Sequence, residues 1–279
     1  MKIAITGKGG SGKSTVSWLI SNYLSAQNKK VLAIDADHNM DLASNFGLEI
    51  TGTVPLFFRA DREIRSLIGM QSSGKWAEYF LCRPLQLNLN SEIIEKYTVN
   101  IRPNLNCIIM GLGEEKIMYL HKCAHGLSSH LKYILPTLEV KKDEYVIIDS
   151  VAGSDMLNYG LYFGCDVICT VVEGHTNSIK VANQLKKITE EQGLKIYFIL
   201  NKYDPENQLT QQFESENRVN ILGYISPDIS IMDYHWEKIT EKTQQELTSI
   251  TNRLDGLKTI PDQEKYEMLK RFEETKQPI

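Results

Sequence analysis

The residues best suited to chemistry lie together in one stretch near the start of the chain. Residues 7–15 read GKGGSGKST and follow the apolar run KIAIT. They fit the pattern G-x-x-x-x-G-K-[ST], whose glycines let backbone N–H groups converge on phosphate oxygens at a helix N-terminus. Lys13 would lie near the β- and γ-phosphates, and Ser14 would offer a hydroxyl to Mg²⁺. The candidate nucleotide-binding residues of this loop are Gly9, Gly10, Ser11, Gly12, Lys13, Ser14 and Thr15.

Acidic side chains follow two other apolar runs. The run VLAIDAD holds Asp35 and Asp37, Asp41 comes four residues later, and the run YVIID ends at Asp149. A single aspartate commonly caps a turn or a helix start. Three of these, Asp37, Asp41 and Asp149, lie at or just after the ends of separate strands and are less easily explained as caps, because carboxylate oxygens are what Mg²⁺ prefers. The pattern therefore favours carboxylates around a magnesium ion.

These side chains need a scaffold that brings the ends of several strands together. KIAIT reads as a buried strand, the apolar spacing from Val16 to Leu24 predicts a helix, and VLAID reads as the next strand. Such a strand–loop–helix–strand unit implies a parallel sheet with helices on its faces. Further strand candidates are CIIMG, YVIID, DVICTVV, KIYFILN and VNILGYI. The predicted fold is α/β, a doubly wound, mostly parallel sheet with helices on both faces.

The organisation of the chain is simple. Its 279 residues show no repeat and no break in composition, which favours one domain over residues 1–279. A mixed-charge segment from about residue 236 is expected to be helical, in two pieces divided near residues 256–261. Residues 53–102 give few signals beyond the helical run ADREIRSLIGM.

The charge, apolar content and cysteines of the chain indicate which classes of partner and which compartment to expect. A net charge of −4 gives no basic field, so nucleic acid is not an expected partner. No apolar stretch approaches the roughly 20 residues that a membrane span requires. The strand and loop begin at once, which leaves no room for a cleavable signal, and five scattered cysteines do not form a disulfide framework. We expect a cytoplasmic protein with reduced thiols and no membrane partner.

The loop carries a second lysine, Lys8, followed by the pair Gly9-Gly10. With this feature the sequence resembles the MinD, ParA and nitrogenase iron-protein class of P-loop ATPases. In that class the first lysine reaches across a homodimer to the partner's nucleotide. A second positive charge there would stabilise the negative charge that develops during phosphoryl transfer. The resemblance implies one P-loop ATPase domain that hydrolyses ATP to ADP and phosphate and forms a homodimer in the ATP state.

The same resemblance assigns roles to the aspartates. Asp37 matches the residue that orients the attacking water, so Lys8, Lys13 and Asp37 are the catalytic candidates. Asp41 matches a switch I aspartate near Mg²⁺. Asp149 matches the carboxylate that faces the magnesium shell, before a switch II of Ala152-Gly153. Ser14, Asp41 and Asp149 are the resulting magnesium set.

Two later stretches match the part of the class that surrounds the base. YFILNKYD ends a strand with Asn201-Lys202, the pair that reads the adenine edge. ILGYISPD resembles the I-P-x-D loop beside the base and supplies Asp228, although its proline is displaced by one residue. These three residues complete the predicted nucleotide site.

One stretch distinguishes the branches of the class. KIMYLHKCAHGLSSHLKYIL places His121, Cys123 and His125 just before a predicted helix. Thiolate and imidazole suit Zn²⁺, Ni²⁺ or Cu⁺. The stretch resembles the position of the C-x-C pair in CooC-type ATPases, which serve nickel insertion into carbon monoxide dehydrogenase, but His121 replaces the first cysteine. Two subunits would offer enough ligands for a tetrahedral site at the dimer axis. The alternative is that Cys123 packs as a small hydrophobe and the histidines face solvent.

Other branches fit less well. A nitrogenase-type cluster needs a cysteine soon after the switch II aspartate, and residues 149–164 contain none. A MinD-type protein should end in a basic amphipathic helix, and a ParA-type protein needs a basic patch for DNA. The tail DQEKYEMLKRFEETKQPI has little apolar face, and no concentrated basic run occurs. Two functions remain: an ATPase that matures a client metalloenzyme, and a ParA/MinD-like positioning ATPase that acts on a protein, DNA or membrane partner.

Overall fold

The structure is a computed structural model that describes residues 1–67, 87–111, 131–154 and 161–261, with residue 157 and residues 263–265, 267–268 and 271. Its centre is an eight-stranded sheet of order β3-β4-β2-β5-β1-β6-β7-β8. The strands are β1 (Lys2–Gly7), β2 (Lys30–Asp35), β3 (Thr98–Arg102), β4 (Leu105–Ile109), β5 (Glu144–Asp149), β6 (Val167–Val172), β7 (Ile196–Asn201) and β8 (Ile221–Ile225).

Helices join these strands and cover the sheet. The α-helices of the described residues are α1 (Lys13–Ala26), α2 (Asp41–Asn45), α3 (Asp61–Leu67), α4 (Glu92–Lys96), α5 (Leu131–Thr137), α6 (Thr176–Glu191), α7 (Gln208–Asn217) and α8 (Glu241–Asp255). Short 3₁₀ turns occupy Phe57–Ala60, Leu161–Gly164, Ile229–Ile231 and Trp236–Lys238. No helix among the described residues is long and apolar enough to cross a membrane.

The core lies on both faces of the sheet because the central strands alternate their side chains between two apolar layers. In β1, Ile3 and Ile5 pack with α1 and α8 on one face, whereas Ala4 packs with α5 and α6 on the other. Side chains on both faces of a strand are buried only when helices cover both faces. The predicted doubly wound fold is therefore confirmed.

One strand pair departs from the parallel pattern. β3 pairs antiparallel with β4, and the two are joined by the short turn Pro103–Asn104, in which Asn104 has φ +64°. Asparagine tolerates this left-handed conformation better than most residues. Sequence reasoning left this region without a strand assignment, because β3 is half-exposed and its composition is mixed.

The segment after residue 236 contains the expected helix. α8 packs against β8 and α1, and Arg253 Nη1 donates to Ile221 O at 2.7 Å. Tyr23 and Thr248 share a hydroxyl hydrogen bond of 2.7 Å between α1 and α8. The helix ends at Asp255, before Gly256, as the predicted division requires.

The core makes a direct prediction about stability. The rings of Phe198 and Phe213 are fully buried and meet edge to face, with centroids 5.0 Å apart. Phe198→Ala removes this contact and leaves a cavity, so the free energy of unfolding should fall by about 3–5 kcal/mol. Urea unfolding measures the change. The control Val219→Ala, at a side chain that is 91% exposed, should stay within about 0.5 kcal/mol of the parent protein. Equal unfolding midpoints for the two variants would contradict this description of the core.

Candidate nucleotide site

The loop between β1 and α1 has a backbone that only glycine permits at key points. Gly7 has φ +146°, and a Cβ there would lie 2.6 Å from Val171 O. Gly12 has φ +86° at the N-cap of α1, and a Cβ there would collide with the amide of Asn201. Gly12 has no side chain to cap the helix, so the N–H groups in the first turn of α1 are left for another acceptor. An anion is favoured at such a terminus.

A cleft of about 780 Å³ opens at this terminus, beside the carboxyl ends of the parallel strands. A doubly wound sheet binds ligands at this edge. Of the predicted nucleotide and magnesium residues, the cleft brings together Gly10, Gly12, Lys13, Ser14, Thr15, Asp41, Asn201, Lys202 and Asp228. The exposed side chains of Ile229 and Met232 form an apolar part of its wall.

Asp149 is the most deeply buried acidic group beside the loop. It is wholly inaccessible to solvent, and its Oδ1 accepts a hydrogen bond from Ser17 Oγ at 3.1 Å. Burial raises the pKa of this carboxyl to about 7. The Ser14 hydroxyl, the Lys13 ammonium and the Ser17 hydroxyl offset part of that rise, and Asp37 adds to it.

The second oxygen of Asp149 indicates what the site lacks. Among the described residues Oδ2 has no hydrogen-bond partner, although it is buried. An unsatisfied buried carboxylate oxygen is costly unless a cation or a donor completes it. Because Ser14 lies beside it and magnesium prefers oxygen ligands, the donors present fit a Mg²⁺ ion.

Asp35 has a role that sequence reasoning did not assign. Its Oδ2 accepts from Ala43 N at 2.9 Å, and its Oδ1 accepts from Asp37 N at 3.3 Å. The carboxyl therefore satisfies an N–H in the first turn of α2, which begins at Asp41 and follows Met40 with φ +55°. Burial and the neighbouring Asp149 raise the pKa of Asp35. Its place at the end of a strand was visible in the sequence, but its partner eight residues later was not.

Asp37 is held in a defined position at the same edge. Its side chain is largely buried, and its Oδ1 accepts from Asn39 N at 3.1 Å. His38 Nδ1 lies 3.1 Å from the same oxygen. The residue predicted to orient water is therefore fixed by its own turn, and this role stays a prediction.

The predicted switch II touches the phosphate loop directly. Gly153 N donates to Gly7 O at 2.9 Å, and Thr6 Oγ1 donates to Gly153 O at 3.2 Å. Lys8 is partly exposed, and its ammonium donates to Gly9 O at 3.1 Å. Lys13, by contrast, is buried. The two lysines of the motif therefore differ in their exposure to solvent.

Asn201 and Lys202, predicted to read the base, also bind the protein. Asn201 Nδ2 donates to Ser11 O at 3.0 Å and so fixes the phosphate loop. Lys202, with φ +50°, forms a 2.7 Å ion pair with Glu173, whose other oxygen lies 2.9 Å from His175 Nε2. Burial would raise the pKa of Glu173, but Lys202 and His175 outweigh it and hold this pKa below its usual value. Sequence reasoning missed Glu173, although this residue directly follows the predicted strand DVICTVV.

Asp228 is engaged in a network of its own. Its Oδ2 accepts from Thr240 Oγ1 at 2.6 Å and Thr243 Oγ1 at 2.7 Å, and its Oδ1 accepts from Ser230 N at 2.9 Å. These donors hold the pKa of Asp228 well below its usual value despite partial burial. The residue shapes the cleft wall at the start of the 3₁₀ turn, and a contact with a base stays a prediction.

The predicted transition-metal ligands His121, Cys123 and His125 lie outside the described residues. Within the described part of the chain, no group of three metal-ligating side chains is assembled. The helix expected after this stretch is present as α5.

Comparison with known proteins agrees with this geometry. Residues 2–240 match the family described as CobQ/CobB/MinD/ParA nucleotide binding domain. An uncharacterized ATP-binding protein of Methanocaldococcus jannaschii is 28% identical over 83% of this chain and 90% of its own length. The carbon monoxide dehydrogenase accessory protein CooC of Rhodospirillum rubrum is 27% identical over 83% of this chain and 85% of its own length. The structure of the septum site-determining protein MinD of Pyrococcus horikoshii, complexed with Mg-ADP, superposes with a TM-score of 0.62 at 20% identity, covering 91% of this chain and 96% of that one.

The buried carboxylate of Asp149 leads to a prediction about the stability of the nucleotide-free protein. Asp149→Asn keeps the shape but removes the buried charge, so the nucleotide-free protein should melt about 2–4 °C higher at about pH 8, as about 1 kcal/mol would give. The pKa of Asp149 is about 7 in the folded protein and 3.8 in the unfolded chain, so protonation of this carboxyl stabilises the fold. That stabilisation is complete below about pH 3.8 and is lost as the pH rises through about 7. The gain from Asp149→Asn should therefore shrink at about pH 5. Thermal unfolding measures both values.

A partly buried aspartate at the opposite edge, Asp166, supplies the control. Asp166 pairs with Lys265 at 2.7 Å, and its pKa is lowered although burial alone would raise it. Asp166→Asn should therefore destabilise the protein at about pH 8. A change of unfolding temperature in the same direction for both variants would contradict the description of Asp149 as a carboxylate that destabilises the protein when no cation is bound.

Proposed function

Because the chain belongs to the CobQ/CobB/MinD/ParA nucleotide-binding domain family, we propose that it is a Mg²⁺-dependent ATPase that dimerises on binding ATP. The proposal extends to the whole chain, residues 1–279, acting as one ATPase domain in the cytoplasm. Its work is to couple ATP binding and hydrolysis to the maturation of a client metalloenzyme by metal insertion, with nickel as the favoured metal. For the ATPase, the observation that carries the proposal is the buried Asp149 oxygen without a partner among the described residues, in a carboxyl that interacts with Lys13 and Ser14.

The residues of the cleft can carry out ATP hydrolysis to ADP and phosphate. The first-turn N–H groups of α1 and the buried Lys13 bind phosphate oxygens and neutralise their charge. Ser14 and Asp149 would hold Mg²⁺, with Asp41 at the cleft edge as the third oxygen donor. When bound, magnesium would supply positive charge that offsets the negative charge of the phosphates.

Two further residues would act on the chemical step. The fixed carboxylate of Asp37 orients the attacking water by accepting a hydrogen bond from it. Lys8 has no ion pair among the described residues and is partly exposed, so its ammonium is available to enter the site of a second copy. A charge that arrives only when two copies close couples hydrolysis to the state of the dimer.

Two findings support the maturation function. The match to CooC, a carbon monoxide dehydrogenase accessory protein, covers 83% of the chain. His121, Cys123 and His125 supply the ligand types that Ni²⁺ and Zn²⁺ accept. The metal is cargo in this proposal, held between two copies and passed to the client. A ParA/MinD-like positioning function is the second candidate, because a likeness in fold does not choose between them.

The two lysines of the loop should separate binding from catalysis. Lys13→Ala should abolish nucleotide binding, because this ammonium contacts phosphate directly. Lys8→Ala should still bind ATP, yet lose dimerisation and lower hydrolysis by about 10³-fold, as loss of an arginine finger does. Calorimetry, size-exclusion chromatography and phosphate release measure these three quantities. The exposed lysine Lys180 of α6, changed to alanine, is the control. Equal loss of ATP binding in both loop variants would argue against a role for Lys8 across the dimer.

Metal titration tests the maturation function. Zn²⁺ or Ni²⁺ should bind more tightly in the presence of ATP than in its absence, because dimer closure completes four-coordination and linkage is reciprocal. Cys123→Ser should weaken binding at least about tenfold, whereas Cys82→Ser should not. Affinity should fall as the pH drops through the imidazole range.

The same preparation separates the two candidate functions. Equal metal affinity for Cys123→Ser and the parent protein would remove the main support for maturation. ATP-dependent binding to duplex DNA or to anionic vesicles would then favour the positioning function. ATPase activity of the parent protein without any binding of Zn²⁺ or Ni²⁺ would also favour the positioning function.

A further inference from the structure

Tyr234 belongs to the connection between β8 and α8 and lines the same cleft as the phosphate loop. Its hydroxyl lies 2.9 Å from Thr15 Oγ1, across 219 residues of sequence. Thr15 is the third residue of α1, in the turn whose N–H groups face the cleft. A phenol from a distant segment is therefore hydrogen-bonded to the residue where an anion is favoured.

The backbone of Tyr234 shows that this placement is closely specified. Its φ is +51°, a conformation that is uncommon for a bulky side chain. Two contacts hold it there: the ring meets Trp18 edge to face at 5.3 Å, and Tyr234 N donates to Ile231 O at 3.1 Å. Strained residues of this kind persist only where the surroundings determine them.

The hydroxyl groups of Tyr234 and Thr15 carry two protons, and the hydrogen bond between them uses only one. Tyrosine and threonine hydroxyls each donate once and can each accept. If Thr15 donates to Tyr234, the phenol proton is left to point elsewhere, and if Tyr234 donates, the threonine proton is left. In either direction the pair keeps one donor at the edge of the cleft. A phosphate oxygen is the acceptor that the terminus of α1 attracts.

We propose that Tyr234, paired with Thr15, is a phosphate-contacting residue of this cleft. The proposal rests on the nucleotide-binding function proposed above and adds a residue outside the loop motif. Lys13 and Ser14 serve the β- and γ-phosphates and the magnesium ion, so the next residue along α1 faces the phosphate nearer the nucleoside. Tyr234 therefore recognises the diphosphate portion of ADP and ATP and contributes nothing to adenosine.

The aromatic neighbours of Tyr234 include tryptophans, so their fluorescence can report a contact between Tyr234 and phosphate. Trp18 is buried and contacts both Tyr234 and Trp236, whose ring lies 6.3 Å away. Tyr23 completes the cluster at 6.5 Å from Trp236. When phosphate draws the phenol hydroxyl, the ring over Trp18 shifts, and the tryptophan emission should change with nucleotide binding.

Tyr234→Phe keeps the ring and removes only the hydroxyl. Its affinity for Mg-ADP should fall roughly tenfold, the order expected for one hydrogen bond to a charged acceptor. Its affinity for adenosine and its unfolding temperature should stay close to those of the parent protein. Calorimetry measures affinity, and tryptophan emission gives an independent record. The emission change on adding Mg-ADP should shrink in this variant.

Tyr23→Phe is the matched control. Tyr23 lies in the same aromatic cluster but does not line the cleft. Its change to phenylalanine also removes a hydroxyl hydrogen bond, the one to Thr248. It should bind Mg-ADP as the parent protein does. A double-mutant cycle with Thr15→Val should give a combined loss smaller than the sum, because the pair acts as one unit.

The outcomes are separable. Unchanged Mg-ADP affinity in Tyr234→Phe, equal loss in Tyr23→Phe, or strictly additive losses in the cycle would each overturn the role of Tyr234 while leaving the nucleotide site intact. Absence of Mg-ADP binding by the parent protein would overturn the proposed function itself, and this inference with it.

Discussion

The constraint on which the cleft depends is the buried carboxylate of Asp149. Its removal from water raises its pKa, and one of its oxygens has no partner among the described residues. An isolated charge in such a place is unfavourable, so the surroundings supply the Ser14 and Ser17 hydroxyls and the Lys13 ammonium. All three groups belong to the first turns of α1. In the proposed function, Mg²⁺ would complete this set of donors.

The phosphate loop is held from outside as well as from within. Asn201 bonds to Ser11 O, and Gly153 bonds to Gly7 O, so β7 and the predicted switch II both determine its shape. Glu173 holds Lys202, the next residue after Asn201, in a left-handed conformation. This loop is consequently preorganised, since the anion need not order its backbone on binding. The contact through Gly153 also connects the loop directly to the predicted switch II.

Much of the fold could be predicted from the sequence because the signals were local. The spacing of apolar residues predicted α1 and the central strands, and the loop pattern identified Lys13 and Ser14, which begin α1 just after the loop that follows β1. The pattern was less informative for β3, a half-exposed edge strand whose antiparallel pairing depends on a turn at Asn104. Edge strands lack the continuous apolar run by which buried parallel strands are recognised.

What the sequence by itself determined was the chemistry of the loop and the class of the sheet, because both are written in neighbouring residues. What only the tertiary structure decided was which distant groups meet there. The Asp149 carboxyl accepts from Ser17, Asn201 donates to Ser11 O, and Tyr234 is hydrogen-bonded to Thr15. No spacing rule relates such pairs. They come together because parallel strands place their carboxyl ends at one edge of the sheet, whatever the length of chain between them.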